Sequence, residues 1–166
     1  MADLLLTPTQ TVGPFLHLAL ADPALRHPVD ADDPSAIGVH GTVFDGDGSP
    51  VPDAVVETWQ HGGPFARCPT DADGQWEVRT RRPAAIATLD GSPQAPHLAV
   101  SVFARGLLDR VVTRAYLGGE PANDDDVVLR SLGARAATLV AEADGPASFR
   151  FDIHLQGDDE TVFFAV

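Results

Sequence analysis

An antiparallel β-sandwich is the fold this sequence predicts, and three observations carry the prediction. Short apolar and β-branched runs alternate with period two, most clearly where Leu98, Val100, Val102 and Ala104 interleave with Ala99, Ser101 and Phe103. Turn signals built from Asp, Gly and Pro separate such runs about every ten residues, the spacing of all-β sandwiches. Fourteen Pro and fifteen Gly in 166 residues leave little room for long helices.

The chain reads as one domain over 1–166, with an N-terminal arm and connection over 1–36 and the sandwich over 37–166. Thr7 to Pro14 holds two prolines, three threonines and a glycine, which disfavours helix. The segment is either an extended arm stiffened by Gly13-Pro14 or a loose terminus, and composition leaves both open. Residues 16–36 turn acid- and proline-rich and read as a surface connection. Val39–Phe44 and Val51–Gln60 flank Asp45-Gly-Asp-Gly48, a hairpin or tight-turn signal. Gln75–Thr80 follows a second such signal, Asp71-Ala-Asp-Gly74. The 95–106 stretch opens at Pro96, which has no N–H for a ladder, and ends at Gly106. It carries His97 at its entrance and Arg105 at its exit. A strand over 110–117 follows, then a short helix over 127–132 capped by the acids of 124–126. Alternation over 147–155 predicts one strand, and the apolar run over 160–164 predicts a last one.

A formal charge of −13, from 24 acids against 11 bases, excludes nucleic acid and anionic membrane surfaces as partners. The single Cys68 has no second cysteine to pair with. With no basic-then-apolar leader and no apolar run of membrane length, a cytoplasmic location is expected. The two Asp-rich turns do not fit calcium loops, because the twelfth position counted from Asp45 is Val56 and from Asp71 is Arg82, where a Glu is needed. His61, His97 and His154 are scattered singly, as surface or satisfied core histidines are. Nothing resembles a nucleophile elbow or a phosphate loop, and Cys68 has no histidine at a telling spacing. Read from its residues alone, the chain is a β-sandwich without catalytic apparatus of its own.

Five ordered segments nevertheless resemble a known family. They are Thr11-Val-Gly-Pro-Phe15, Gly41-Thr-Val-Phe-Asp-Gly-Asp-Gly48, Val55-Val-Glu-Thr-Trp-Gln60, Ala95-Pro-His-Leu98 with Phe103-Ala-Arg-Gly106, and Phe149-Arg-Phe-Asp-Ile153 with Gln156-Gly157. The set is similar to the intradiol ring-cleavage dioxygenases over almost the whole chain, and within them to the alpha subunit of the two-chain members. Members that carry the reaction hold a ferric ion with two Tyr and two His. The resemblance places the histidines at His-x-His on the 95–106 strand, where this sequence has His97 but Ala99. It places the tyrosines on segments matching the Gln60–Phe65 and Arg82–Ala85 loops, neither of which contains Tyr. Tyr116, the only tyrosine, matches a structural position. The implied role is a subunit without its own metal. It would pair with a homologous iron-bearing beta subunit and wall that partner's pocket for protocatechuate with Thr11, Gly13, Pro14 and Arg105. Arg105 would supply positive charge for an anionic substrate on an otherwise acidic chain. A higher (αβ)n assembly is expected. The alternative left open is a transthyretin-like sandwich that binds or supports without enzymatic role, because the 41–55 stretch also resembles those modules.

Overall fold

The computed structural model of the chain describes residues 6–13, 16–88 and 91–165. The elements are α1 (Leu16–Leu20), β1 (Ala36–Phe44), β2 (Val55–Trp59), β3 (Ala66–Pro69), β4 (Gln75–Arg81), β5 (Ile86–Ala87), β6 (Pro93–Gln94), β7 (His97–Phe103), β8 (Val111–Leu117), α2 (Val127–Leu132), β9 (Val140–Gly145), β10 (Ser148–Arg150) and β11 (Ile153–His154). Among the described residues no helix is long and apolar enough to cross a membrane.

Alternation sets which side of each strand is buried. In β1 every second residue from Ile37 to Val43 faces inward, and in β7 the inward residues are Leu98, Val100 and Val102. These meet Trp76, Leu117, Phe149, Phe151 and Ile153 in one apolar core. The strands form a nine-stranded sheet in the order β11-β1-β10-β9-β8-β7-β2-β3, with β4 on the far side of β1. The sheet wraps until β3 lies beside β4, and there a side chain bridges the gap. Glu77 N donates to the buried Cys68 Sγ at 3.4 Å, and Arg26 Nε donates to the same sulfur at 3.1 Å. The outer edge of β4 is met by the segment before β1, where Arg79 N donates to Arg26 O.

Most pairs are antiparallel, as expected of the sandwich, but β1 runs parallel to β10 and β11, and β8 parallel to β9. The turn at 45–48 is present, with Asp45 Oδ1 accepting from Asp47 N and Ser49 N, and a single antiparallel bridge, Phe44 to Pro50, closes beside it. Both edges of β1 are otherwise taken by β4, β10 and β11, so β2 departs to pair with β3 and β7. The turn at 71–74 is likewise closed by Asp71 Oδ1, and from it β4 runs antiparallel to β1 with β3 beside its other edge. Two local expectations need correction. The 147–155 run is two strands, because Phe151 N bonds His40 O and Asp152 Oδ1 takes the Thr42 N–H, diverting the chain between them. The 160–164 run is no strand. Its backbone is held partly by threonine hydroxyls: Thr113 Oγ1 donates to Val162 O, and Val162 N donates to Thr138 Oγ1. The 16–36 connection contains α1 and a 3-10 turn over Pro23–Leu25.

Helix α2 forms where the acids predicted it, and its N-cap does more than cap. Asp126 is 1% exposed and its Oδ1 accepts from Val128 N, Leu129 N and the Tyr116 hydroxyl, while Oδ2 accepts from Ala95 N at 2.8 Å. One carboxylate therefore joins α2 to the start of β7 and the end of β8. Asp126→Ala leaves these donors without an acceptor and is expected to lower stability by about 3 kcal/mol or more. The check is the denaturant midpoint at unchanged slope; a loss below about 1 kcal/mol would refute the bridging role.

Candidate functional site

Strand β7 is flanked by two places of interest, one at each end. At its exit the arm docks: Gly106 N donates to Thr11 Oγ1 at 2.8 Å. Gly106 has φ +96°, a left-handed conformation that turns the chain sharply so that its N–H faces the arm. The arm is therefore ordered against the sandwich as far as Gly13, whose carbonyl accepts from Leu16 N. Arg105 stands beside this contact with its side chain 78% exposed, and its Nε lies 2.8 Å from Asp53 Oδ2 in an ion pair. Next to them lies an open hollow of about 640 Å³ lined in part by Gln10, Val12, Phe103, Leu108, Arg110 and Phe164. Of the four residues expected to wall a pocket, Thr11 and Arg105 are brought together, Gly13 follows two residues along the arm, and Pro14 lies outside the described residues.

At the entrance of β7 the two loops singled out in the sequence do converge. Gln60 and His61 from one, Pro83 and Ala84 from the other, and His97 and Ala99 line a small hollow of about 30 Å³, with Trp59 half exposed at its side. His97 Nδ1 donates to Ala95 O at 2.8 Å, which fixes Nε2 as the acceptor nitrogen of the neutral ring. The ring packs at a tilt on Tyr116, centroid to centroid 5.1 Å. Burial lowers the His97 pKa, the Arg114 cation lowers it further, and the Ala95 carbonyl opposes both. The Tyr116 phenol is pushed up to about 12, chiefly by burial, against the pull of Arg114 Nη1, which donates to its oxygen.

No family model matches the chain. It is 39% identical to the protocatechuate 3,4-dioxygenase alpha chain of Burkholderia cepacia, covering 100% of both, and 36% identical to that of Pseudomonas putida, covering 95% of both. The chain belongs to the family of protocatechuate 3,4-dioxygenase alpha chains. It is also 29% identical to the beta chain of the Burkholderia cepacia enzyme, over 75% of this chain and 66% of that one. Catechol 1,2-dioxygenase from Acinetobacter sp. ADP1 has the same fold, with a TM-score of 0.61 at 24% identity over 81% of this chain and 58% of that longer one. So does the dioxygenase domain of a carbohydrate-binding fusion from Streptomyces sp. SirexAA-E, with a TM-score of 0.61 at 22% identity over 91% of this chain and 99% of that one. The alpha-chain relatives align from end to end, which sets aside the transthyretin-like alternative.

The hollow at the entrance of β7 can be tested for the family's iron. A ferric ion calls for hard anionic oxygen ligands. The lining offers the imidazoles of His61 and His97, an amide, a proline and two alanines, with no carboxylate or phenolate. Tyr116 packs beside His97, but its hydroxyl donates to Asp126 and keeps its proton far above neutral pH. Among the described residues no three of His, Cys, Asp and Glu are grouped to hold an ion. The donor set does not fit iron(III).

Sequence reasoning missed Asp53. Its signal lay in strand register, because β2 and β7 pair with Val55 opposite Phe103, and counting two residues outward sets Asp53 opposite Arg105.

His97 supplies a pH prediction. Its folded pKa lies below the ordinary 6.5, so the unfolded chain binds more protons between the two values. Its contribution is complete above pH 6.5 and is lost as pH falls through the folded pKa. His27 is shifted the same way, mainly by burial, so the acid loss has two sources. His97→Gln is expected to shrink that loss without abolishing it, as read by thermal melts over a pH series. A His97 NMR titration with its midpoint at or above 6.5 would contradict this.

Proposed function

We propose that this chain is the alpha subunit of a two-chain iron(III) intradiol dioxygenase that works in the cytoplasm on protocatechuate. The reaction adds both atoms of O₂ to the ring and opens it between the two hydroxyls, giving 3-carboxy-cis,cis-muconate. Protocatechuate 3,4-dioxygenase alpha chains that match it from end to end support the assignment, and the beta-chain relative supports a homologous partner. The iron belongs to that partner, where it supplies Lewis-acid activation of the ring diol. The donor set at the entrance of β7 supports the view that this chain carries no iron of its own.

Its own contribution is a wall. The observation that carries this reading is the 2.8 Å bond from Gly106 N to Thr11 Oγ1, which seats the arm beside Arg105. Thr11, Gly13 and Pro14 form the arm side of the wall and exclude water from the partner's pocket. The exposed guanidinium of Arg105 attracts and orients the substrate carboxylate, a local cation on a chain of net charge −13. The hollow flanked by the arm, Phe164 and Ala165 adds Val12, Phe103, Leu107 and Leu108 as apolar surface that a partner could cover. Chains then assemble as αβ pairs into a larger (αβ)n oligomer.

Two measurements test the reading. Elemental analysis is expected to find no stoichiometric iron in the isolated chain and iron in the αβ complex; one tightly held iron per isolated chain would overturn it. Arg105→Ala in the complex is expected to lower kcat/KM for protocatechuate by about 1–3 kcal/mol with iron retained. Catechol, lacking the carboxylate, should be affected far less. Equal losses on both substrates would mean general disruption, and no loss would return Arg105 to the surface.

A further inference from the structure

We infer that Asp53 is a positioning residue for substrate recognition, holding the Arg105 guanidinium in the orientation in which it meets the substrate carboxylate. This rests on the reading of Arg105 given above.

The geometry supports the role at each step. Asp53 ends a turn that is itself immobilised. Thr70, 5% exposed, donates from Oγ1 to Val51 O at 2.8 Å, accepts there from Ala54 N at 3.0 Å, and donates its own N–H to Ala54 O at 2.9 Å. Both neighbours of Asp53 in this clamp belong to the backbone, so the carboxylate projects from a fixed base. Ala54 is fully buried, and the β2–β7 ladder carries the same rigidity to Ala104, 1% exposed. Arg105 by contrast is 78% exposed, and an arginine so placed ordinarily samples many rotamers. The Asp53 Oδ2 contact is made at Nε, the guanidinium nitrogen nearest the stem, and so restrains the stem torsions. As an exposed surface pair the contact adds little to stability. Its effect is to spare the complex the loss of side-chain freedom when substrate binds.

The test uses the αβ complex and four variants, Arg105→Ala, Asp53→Ala, Asp53→Asn and the double Asp53→Ala/Arg105→Ala, with protocatechuate and catechol as substrates. Asp53→Ala is expected to raise KM for protocatechuate about two- to tenfold, the range for ordering one long side chain, with kcat moving less and catechol scarcely changed. Asp53→Asn keeps the side chain's size and an oxygen beside Nε but not the charge, and is expected to recover part of the loss. In the double variant Asp53→Ala/Arg105→Ala the Asp53 effect should vanish, because nothing remains to position. If Arg105→Ala raises KM while Asp53→Ala leaves it unchanged or lowers it, the positioning role fails and the Arg105 reading survives. If Asp53→Asn is as impaired as Asp53→Ala on both substrates, the effect is structural and the inference is overturned. If Arg105→Ala itself leaves KM unchanged, the reading and the inference fall together.

Discussion

The buried carboxylate of Asp126 is the contact on which the geometry around β7 depends. A charge this deep is costly unless every lone pair is used, and here the backbone N–H groups of Ala95, Val128 and Leu129 and the Tyr116 hydroxyl use them. The bonds close a circuit. Ala95 gives its N–H to Asp126 and its carbonyl to His97, the His97 ring lies against Tyr116, and the Tyr116 hydroxyl returns to Asp126. His97 and Tyr116 are thus committed to holding secondary structure together. A histidine and a tyrosine side by side are usually read as chemistry; here their protons are already assigned.

The two ends of β7 divide the labour. At its entrance polarity is consumed internally and the hollow is narrow. At its exit the arm, Arg105 and an open hollow of mixed polarity face outward. A strand with a rigid, buried middle suits both, since Leu98, Val100 and Val102 fix the separation of its ends.

How much of this was legible in the sequence depended on the range of the contact. Local signals were reliable: the Asp45 and Asp71 turns close on their own N–H groups, and the acids before Val127 cap α2. Alternation found β1, β4, β7 and β8. It did not reveal partners: nothing around Asp45–Gly48 showed that β1 is flanked on both sides and that β2 pairs elsewhere. The 160–164 run looked like a strand because its side chains are apolar, whereas its backbone bonds go partly to the hydroxyls of Thr113 and Thr138. β3 was missed because it is only four residues long, and β9 because its residues do not alternate between buried and exposed. At the site, Thr11 and Arg105 were reachable only through resemblance, since 94 positions separate the Thr11 hydroxyl from Arg105 itself and 95 from its bonded partner Gly106. Asp53 required the register of β2 on β7, which no local pattern encodes.

Strand β1 passes one edge from β10 to β11 without a break, and it does so across Gly41. A methyl group built there would stand 2.0 Å from the Phe151 carbonyl oxygen, inside contact distance with backbone that a rotamer change does not move. Phe151 N is bonded to His40 O at 2.7 Å, so the crossing strand has nowhere to retreat. In evolutionary terms this closes position 41 to drift. The codon can vary only within glycine, while the half-buried positions on either side, His40 and Thr42, remain open to change. A side-chain contact can be exchanged one residue at a time; this crossing is made of main chain, and losing it would mean losing the sheet.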